Sequence, residues 1–259
     1  VRILVTNDDG VESPGIEALA AALAGAGHEL LVVAPSGERS GSGAAIGRLH
    51  RSGPIACTDV EWPHLPGVRV HAIDASPAAA VYAGCLGAFG PGPDVVASGI
   101  NPGANTGHLV LHSGTVGAAL TAAALGVPAL AVSIAWGEAF HWPTAATIAA
   151  AAIPWVAAGT GAPRILNLNV PNVELADVLG VREAPLATFA EAWSAERRAG
   201  EVLLQYEGHA REPDADTDLT LVKDGYATVT PLNGITRAPG DADVATVIGT
   251  NLASIGSGS

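Results

Sequence analysis

A switch between two hydrophobic periods, repeated along the first two-thirds of the chain, constrains the fold most. Arg2-Ile-Leu-Val-Thr6 is a short β-branched run, whereas residues 15–26 space their apolar side chains along one helical face and stop at Gly27. Residues 29–33 are strand-like again and halt at Ala34-Pro35. Strand, loop, amphipathic helix and strand form a βαβ unit, whose right-handed crossover requires parallel strands. The pattern recurs: helix 78–87 leads to strand 94–98, helix 116–125 to strand 129–133, and helix 144–158 to strand 164–169. Segments 54–57 and 68–73 read as extra strands between the second and third repeats. The expected class is α/β: a Rossmann-like, doubly wound, mostly parallel sheet.

The pattern ends near Pro171, so a single domain over 1–259 is expected, with an α/β core at 1–174 and a C-terminal extension at 175–259. Residues 191–224 carry nine acidic and four basic side chains, a composition too polar to core itself. Within the extension, 201–206 and 227–230 are predicted strands, 210–218 a loop or hairpin arm, and 218–223 a short helix. The last residues, 256–259, read as a frayed end. This extension is expected to pack on the core or on another subunit.

Charge narrows the function. The chain has 12 Lys+Arg against 25 Asp+Glu, a net charge of −13, and its one lysine is Lys223. Such a surface repels polymeric nucleic acid and anionic membranes. Residues 145–158 are the longest apolar tract, but they contain Pro154 and fall short of the ~20 residues of a membrane span, so they read as a core helix. With no charged-then-apolar leader before the first strand, a cytoplasmic location is expected, and Cys57 and Cys85 are expected to be buried, reduced thiols.

In open α/β sheets, ligands sit beyond the carboxyl ends of the strands. The first strand is followed by Asn7-Asp8-Asp9-Gly10. Adjacent carboxylates there call for a hard cation, although the same four residues also make a good solvated turn. The second strand is followed by the Gly/Ser-rich loop 36–43, which has no P-loop lysine and by itself is only flexible. After strand 94–98 comes a loop carrying Asn101 and Asn105, and then Ser113-Gly114-Thr115 opens a helix. Free N–H groups and hydroxyls at a helix start suit an anion, and Ser or Thr there equally serves as an ordinary cap. One anionic and two donor-rich loops suit a metal bridging carboxylates to a phosphate. His108 and His112 stand four apart but lack the Glu of HExxH, which favours polar contacts over zinc.

These residues, taken in order, resemble the SurE family of survival-protein nucleotidases. The resemblance rests on Asn7-Asp8-Asp9-Gly10 with Pro14-Gly15-Ile16, on Arg39-Ser40-Gly41, Ser98-Gly99-Ile100-Asn101 and Ser113-Gly114-Thr115-Val116. It continues through Asn167-Leu-Asn169-Val-Pro171, Thr217-Asp218 and Gly225-Tyr226 with Thr230-Pro231-Leu232. It implies a metal-dependent phosphomonoesterase acting on nucleoside monophosphates. By family pattern Asp8, Asp9, Ser40 and Asn101 would ligate the metal, an oxygen-only set that favours Mg²⁺ or Mn²⁺. Asn105, Ser113, Gly114 and Thr115 would hold the phosphate. The metal would neutralise phosphate charge and acidify a water, with Asp9 orienting or deprotonating it and Asn7 orienting the carboxylates or the phosphate. The resemblance also implies a homodimer or homotetramer built through the C-terminal arm. Departures from the family fall at Ala78, Ala79, Ala80, His108, Leu109, His112 and Thr121, none of them a proposed metal ligand. They motivate an alternative, a non-catalytic metal-dependent nucleotide sensor. A nucleotide-sugar binder resembling glycosyltransferases would rest only on the βαβ start and the Gly-rich loop, and a second nucleotide-binding half is missing.

Overall fold

The computed structural model describes residues 1–47, 53–159, 164–188, 191–209 and 214–234. Its central feature is a nine-stranded mixed sheet in the order β3-β4-β2-β1-β5-β6-β7-β11-β8. The strands are β1 (Arg2–Thr6), β2 (Glu29–Pro35), β3 (Cys57–Val60), β4 (Arg69–Ile73), β5 (Val95–Pro102), β6 (Ala129–Ile134), β7 (Ile165–Val170), β8 (Val181–Glu183) and β11 (Ala227–Leu232). From β4 through β7 every pairing is parallel; β3 on β4 and β11 on β7 are antiparallel. The mostly parallel α/β class read from the sequence is the class observed.

Helices α1 (Pro14–Gly25), α2 (Pro77–Cys85), α3 (Gly114–Ala124) and α4 (Trp142–Ala157) cover both faces. Alternation along each strand divides the core. Ile3 and Val5 face α1 and α4, with Leu19, Leu23, Ala149 and Ile153. Leu4 faces α2 and α3, with Val81, Val116 and Ala119. Each fully buried Leu, Ile or Val contributes about 1.5–3 kcal/mol, and the abundant alanines let helices lie close to the sheet. Pro154 is accommodated inside the last turn of α4.

The order of the strands locates the functional edge. From β1 the chain crosses through α1 to β2 on one side, whereas β5 crosses through α3 to β6 on the other. Strand order therefore reverses between β1 and β5, and the crevice beyond their carboxyl ends is where such folds bind ligands. Gly15 lets α1 start against this crevice, because a Cβ there would stand 2.1 Å from the Ile100 carbonyl oxygen.

The structure differs from the sequence reading in three places, two of them in the extension. The strand expected at 201–206 is longer and pairs with one not expected: β9 (Glu191–Arg198) and β10 (Glu201–His209) form a separate antiparallel hairpin. β9, with four charged residues in eight and Trp193 as its one large apolar residue, gave no alternating apolar signal. Next, β8 and β11 join the main sheet, so the extension completes the edge beside β7. Third, the first extra strand lies at Cys57–Val60 rather than 54–57. The short helix α5 (Asp218–Lys223) is as expected. Residues 210–213 and 256–259 lie outside the described residues. Both cysteines are free but neither is buried as expected: Cys57 is exposed because β3 is an edge strand, and Cys85 is half-buried at the end of α2. Among the described residues no helix is long and apolar enough to cross a membrane.

Candidate active site

Three chain segments meet in the crevice. β1 runs directly into Asn7-Asp8-Asp9-Gly10, and Gly10 turns with φ of 101° where the Gly37 backbone would stand 3.2 Å from a Cβ. Asn7, fully buried, donates Nδ2 to the Gly10 carbonyl (2.9 Å) and to Ser13 Oγ (2.8 Å), tying the turn to the start of α1. The loop after β2 joins the same turn: the Arg39 N–H donates to the Asp8 carbonyl at 2.7 Å. Ser40 follows immediately and is exposed, its N–H donating to Glu38 Oε1 at 2.7 Å.

The third segment is the start of α3. Thr115 donates its hydroxyl to Asp8 Oδ1 at 2.5 Å. Gly114 leaves space for Asp8, since a Cβ there would lie 2.7 Å from Asp8 Oδ2 and from Ser42 Oγ. Ser113 Oγ accepts from the Val116 N–H at 3.1 Å and so caps the helix. Of the residues expected to hold phosphate, Thr115 thus spends its hydroxyl on a carboxylate, and Ser113, itself buried, has a capping duty.

Asn101, half-buried at the end of β5, folds its Nδ2 onto the Gly103 carbonyl (2.6 Å). Asn105 is held far more firmly. Its N–H donates to Asn169 Oδ1 (2.7 Å), its Nδ2 to Ser133 Oγ (2.8 Å), and its carbonyl accepts from Asn167 Nδ2 (2.8 Å) and Asn169 Nδ2 (3.1 Å). Ser133, Asn167 and Asn169 are fully buried on β6 and β7. The sequence reading gave them no role in the site. Asn167 and Asn169 stand two apart on a strand and so share a face, a signal that together with their place in the family resemblance could have exposed them. Glu38 was also missed; its charge adds to the repulsion felt by both Asp8 and Asp9.

The electrostatics bear on the choice between cation and turn. Burial pushes the Asp8 carboxyl up despite its hydrogen bonds from Thr115. Burial, then Asp8, then Glu38 push the Asp9 carboxyl up to about 7. No ion pair among the described residues involves either carboxylate. Asp9 Oδ2, Asn7 Oδ1 and Ser42 Oγ are buried without a hydrogen-bond partner. A solvated turn leaves no such orphans, whereas a hard divalent cation satisfies oxygen atoms of this kind. The described residues hold no group of three or more His, Cys, Asp or Glu able to bind a metal, so a cation here would rest on two carboxylates and neutral oxygens.

The positions where the family pattern is broken have local explanations. Ala78, Ala79 and Ala80 are buried where α2 packs. Thr121 returns its hydroxyl to the Gly117 carbonyl at 2.7 Å. His108 and His112 are exposed and Leu109 half-buried on the short 3₁₀ turn before α3.

Fold and crevice together define a doubly wound α/β protein with one buried and one half-buried carboxylate, amides and hydroxyls gathered at the switch point of its sheet. Residues 3–193 match the family model described as Survival protein SurE. The chain belongs to the SurE family. It is 37% identical over 241 residues to a 5′-nucleotidase SurE of Xanthomonas campestris pv. campestris, covering 90% of each chain. It is 35% identical over 237 residues to a 5′-nucleotidase SurE of Desulfitobacterium hafniense, covering 90% of this chain and 91% of that one. Among solved structures, the SurE protein from Aquifex aeolicus superposes with a TM-score of 0.75 at 27% identity, covering 96% of this chain and 98% of the other.

Proposed function

We propose that this chain is a divalent-cation-dependent nucleotidase, hydrolysing nucleoside monophosphates to nucleoside and inorganic phosphate. The observation that carries the proposal is the buried Asp8 beside the half-buried Asp9 at the switch point, neither in an ion pair among the described residues, with Asp8 seated against the start of α3. The 5′-nucleotidase relatives support the same reaction class.

Asp8, Asp9, Ser40 and Asn101 would hold the cation, and their all-oxygen chemistry fits Mg²⁺ or Mn²⁺ better than a softer metal. A cation bound there supplies positive charge to a phosphate and lowers the pKa of water, which a chain of net charge −13 otherwise lacks the means to do. The chain's own residues perform the remaining tasks. Asn105, locked by β6 and β7, would offer the second N–H of its Nδ2 to the phosphate oxygens, and the Ser113-Gly114-Thr115 turn would offer the Ser113 hydroxyl and the Gly114 N–H, with Thr115 committed to Asp8. Asp9, whose Oδ2 has no partner, orients the attacking water and accepts its proton. Asn7 fixes the turn that carries both carboxylates.

A phosphate-release screen over 5′- and 3′-nucleotides, with and without Mn²⁺ or Mg²⁺, tests the proposal. Release from at least one nucleoside monophosphate, abolished by a chelator, is expected. Tight metal-dependent nucleotide binding with no release across the panel would make the chain a sensor instead.

The hairpin of β9 and β10 supports assembly into a dimer or tetramer. A two-stranded hairpin is marginal alone in water, and here Val202 and Leu204 are 68% and 65% exposed. Sedimentation at micromolar concentration is expected to give at least a dimer, reverting toward monomer when both residues become Ser. A wild-type monomer would refute the assembly.

A further inference from the structure

Asn105 and Ser113 belong to one loop, and that loop is pinned between them by the C-terminal extension. The Gly107 N–H donates to Asp218 Oδ2 at 2.9 Å, across 111 residues of sequence. The other oxygen of that carboxylate accepts from the Ala187 N–H and the Leu219 N–H, both at 2.8 Å. Asp218 is 0% exposed, so none of these bonds competes with water. Gly107 itself takes φ of 54° and opens the 3₁₀ turn that delivers the chain to Ser113. The loop is therefore fixed at Asn105 by β6 and β7, and at Gly107 by a residue from the extension.

From this geometry we infer that Asp218 is a positioning residue for the phosphate-holding loop, acting through the Gly107 N–H. The extension then does more than assemble subunits: docking of α5 and of residues 184–187 completes the site. The inference rests on the nucleotidase proposal, because it assigns Asp218 a part in holding the phosphate that Asn105 and Ser113 receive.

The chemistry of the carboxylate makes Asp218→Asn a selective probe. An amide has one acceptor oxygen. If that oxygen keeps the two N–H groups of Ala187 and Leu219, the NH₂ meets the Gly107 N–H donor to donor. The bond lost is the one to the loop. Thr220→Ala serves as the comparison: Thr220 Oγ1 accepts from the Thr217 N–H at 3.0 Å in the capping box of α5, and it does not touch Gly107.

The experiment measures kcat and KM per folded molecule, well below the melting temperature, with inhibition by inorganic phosphate alongside. Asp218→Asn is expected to lower kcat/KM by roughly 10- to 100-fold and to weaken phosphate inhibition, as loss of loop geometry does. Thr220→Ala is expected to lower the melting temperature and leave kcat/KM per folded molecule unchanged. Equal kcat/KM and phosphate inhibition in wild type and Asp218→Asn would overturn the inference. Should Asp218→Asn fail to fold, hydrogen exchange on the wild-type chain decides. Inorganic phosphate with Mn²⁺ is expected to slow exchange at Ala187 and Leu219 together with the 105–115 loop, because coupling between sites is reciprocal. Slowing confined to the loop would overturn it. A wild type that releases no phosphate from any nucleotide refutes the proposed function; an active wild type with an equally active Asp218→Asn refutes only the role of Asp218.

Discussion

Converting Asp8 and Asp9 together to Asn is expected to reduce phosphate release by at least roughly 10³-fold, since a catalytic cation supplies several kcal/mol and each 1.36 kcal/mol is tenfold in rate. The substitution keeps side-chain size and removes both charges, so the fold has no reason to fail. Stability should move the opposite way. The folded Asp9 carboxyl sits at about 7, whereas an unfolded Asp titrates near ~4. Between those values the native state binds a proton that the unfolded chain does not. The metal-free wild type therefore gains stability as pH falls from 7 toward 4, and loses that gain as pH rises through 7. At about pH 8 the double Asn variant should melt above the chelated wild type, and adding Mn²⁺ should raise only the wild type's melting temperature. Phosphate release and melting curves with and without Mn²⁺ check both arms. Wild-type turnover in the double variant would sink the mechanism.

Gly114→Ala is expected to cost activity on the order of 10²-fold through position alone. Gly114 opens α3, where Ala is the better helix former, so backbone conformation gives no reason for loss. The new Cβ, however, would stand 2.7 Å from Asp8 Oδ2, 2.8 Å from Asp8 Cβ and 2.7 Å from Ser42 Oγ. Asp8 cannot yield easily, because its carbonyl is bound by Arg39 and its Oδ1 by Thr115. The helix start must then move away from the carboxylate, at an overpacking cost of about 1–3 kcal/mol. Gly25→Ala, where nothing lies within 4 Å of the added Cβ, is the matched control and should leave turnover unchanged. Unimpaired kinetics in Gly114→Ala would show that the close seating of Asp8 on α3 is dispensable.

Much of the candidate site could be placed in advance because it is local. Asp8 and Asp9 follow β1 directly, so the position of that strand in an open parallel sheet places them at the ligand-binding edge. Ser40 and Asn101 follow β2 and close β5 in the same way. The parts that escaped are long-range. Ser133, Asn167 and Asn169 lie in strands that otherwise read as ordinary apolar core. Their partner, Asn105, is 28 to 64 residues distant. Asp218 sits in an acidic stretch whose composition suggests solvent, yet three N–H groups bury it. In the same way nothing in Ser113-Gly114-Thr115 tells a phosphate-binding hydroxyl from one aimed at Asp8.

By itself the sequence determined the layers of this protein and the edge of the sheet where the candidate site lies. Hydrophobic periods of two and of about 3.6 residues specify strands and helices, and right-handed crossovers then fix parallel order. Only the tertiary structure decided which polar groups are left without partners and which are paired. It left Asp9 Oδ2 and Asn7 Oδ1 unsatisfied beside a carboxylate, and it bound Asn105 and Gly107 to residues from distant strands and from the extension. The reason is physical: the pairing of a buried polar atom depends on what packs within about 3 Å of it, and packing brings together residues that no local period relates.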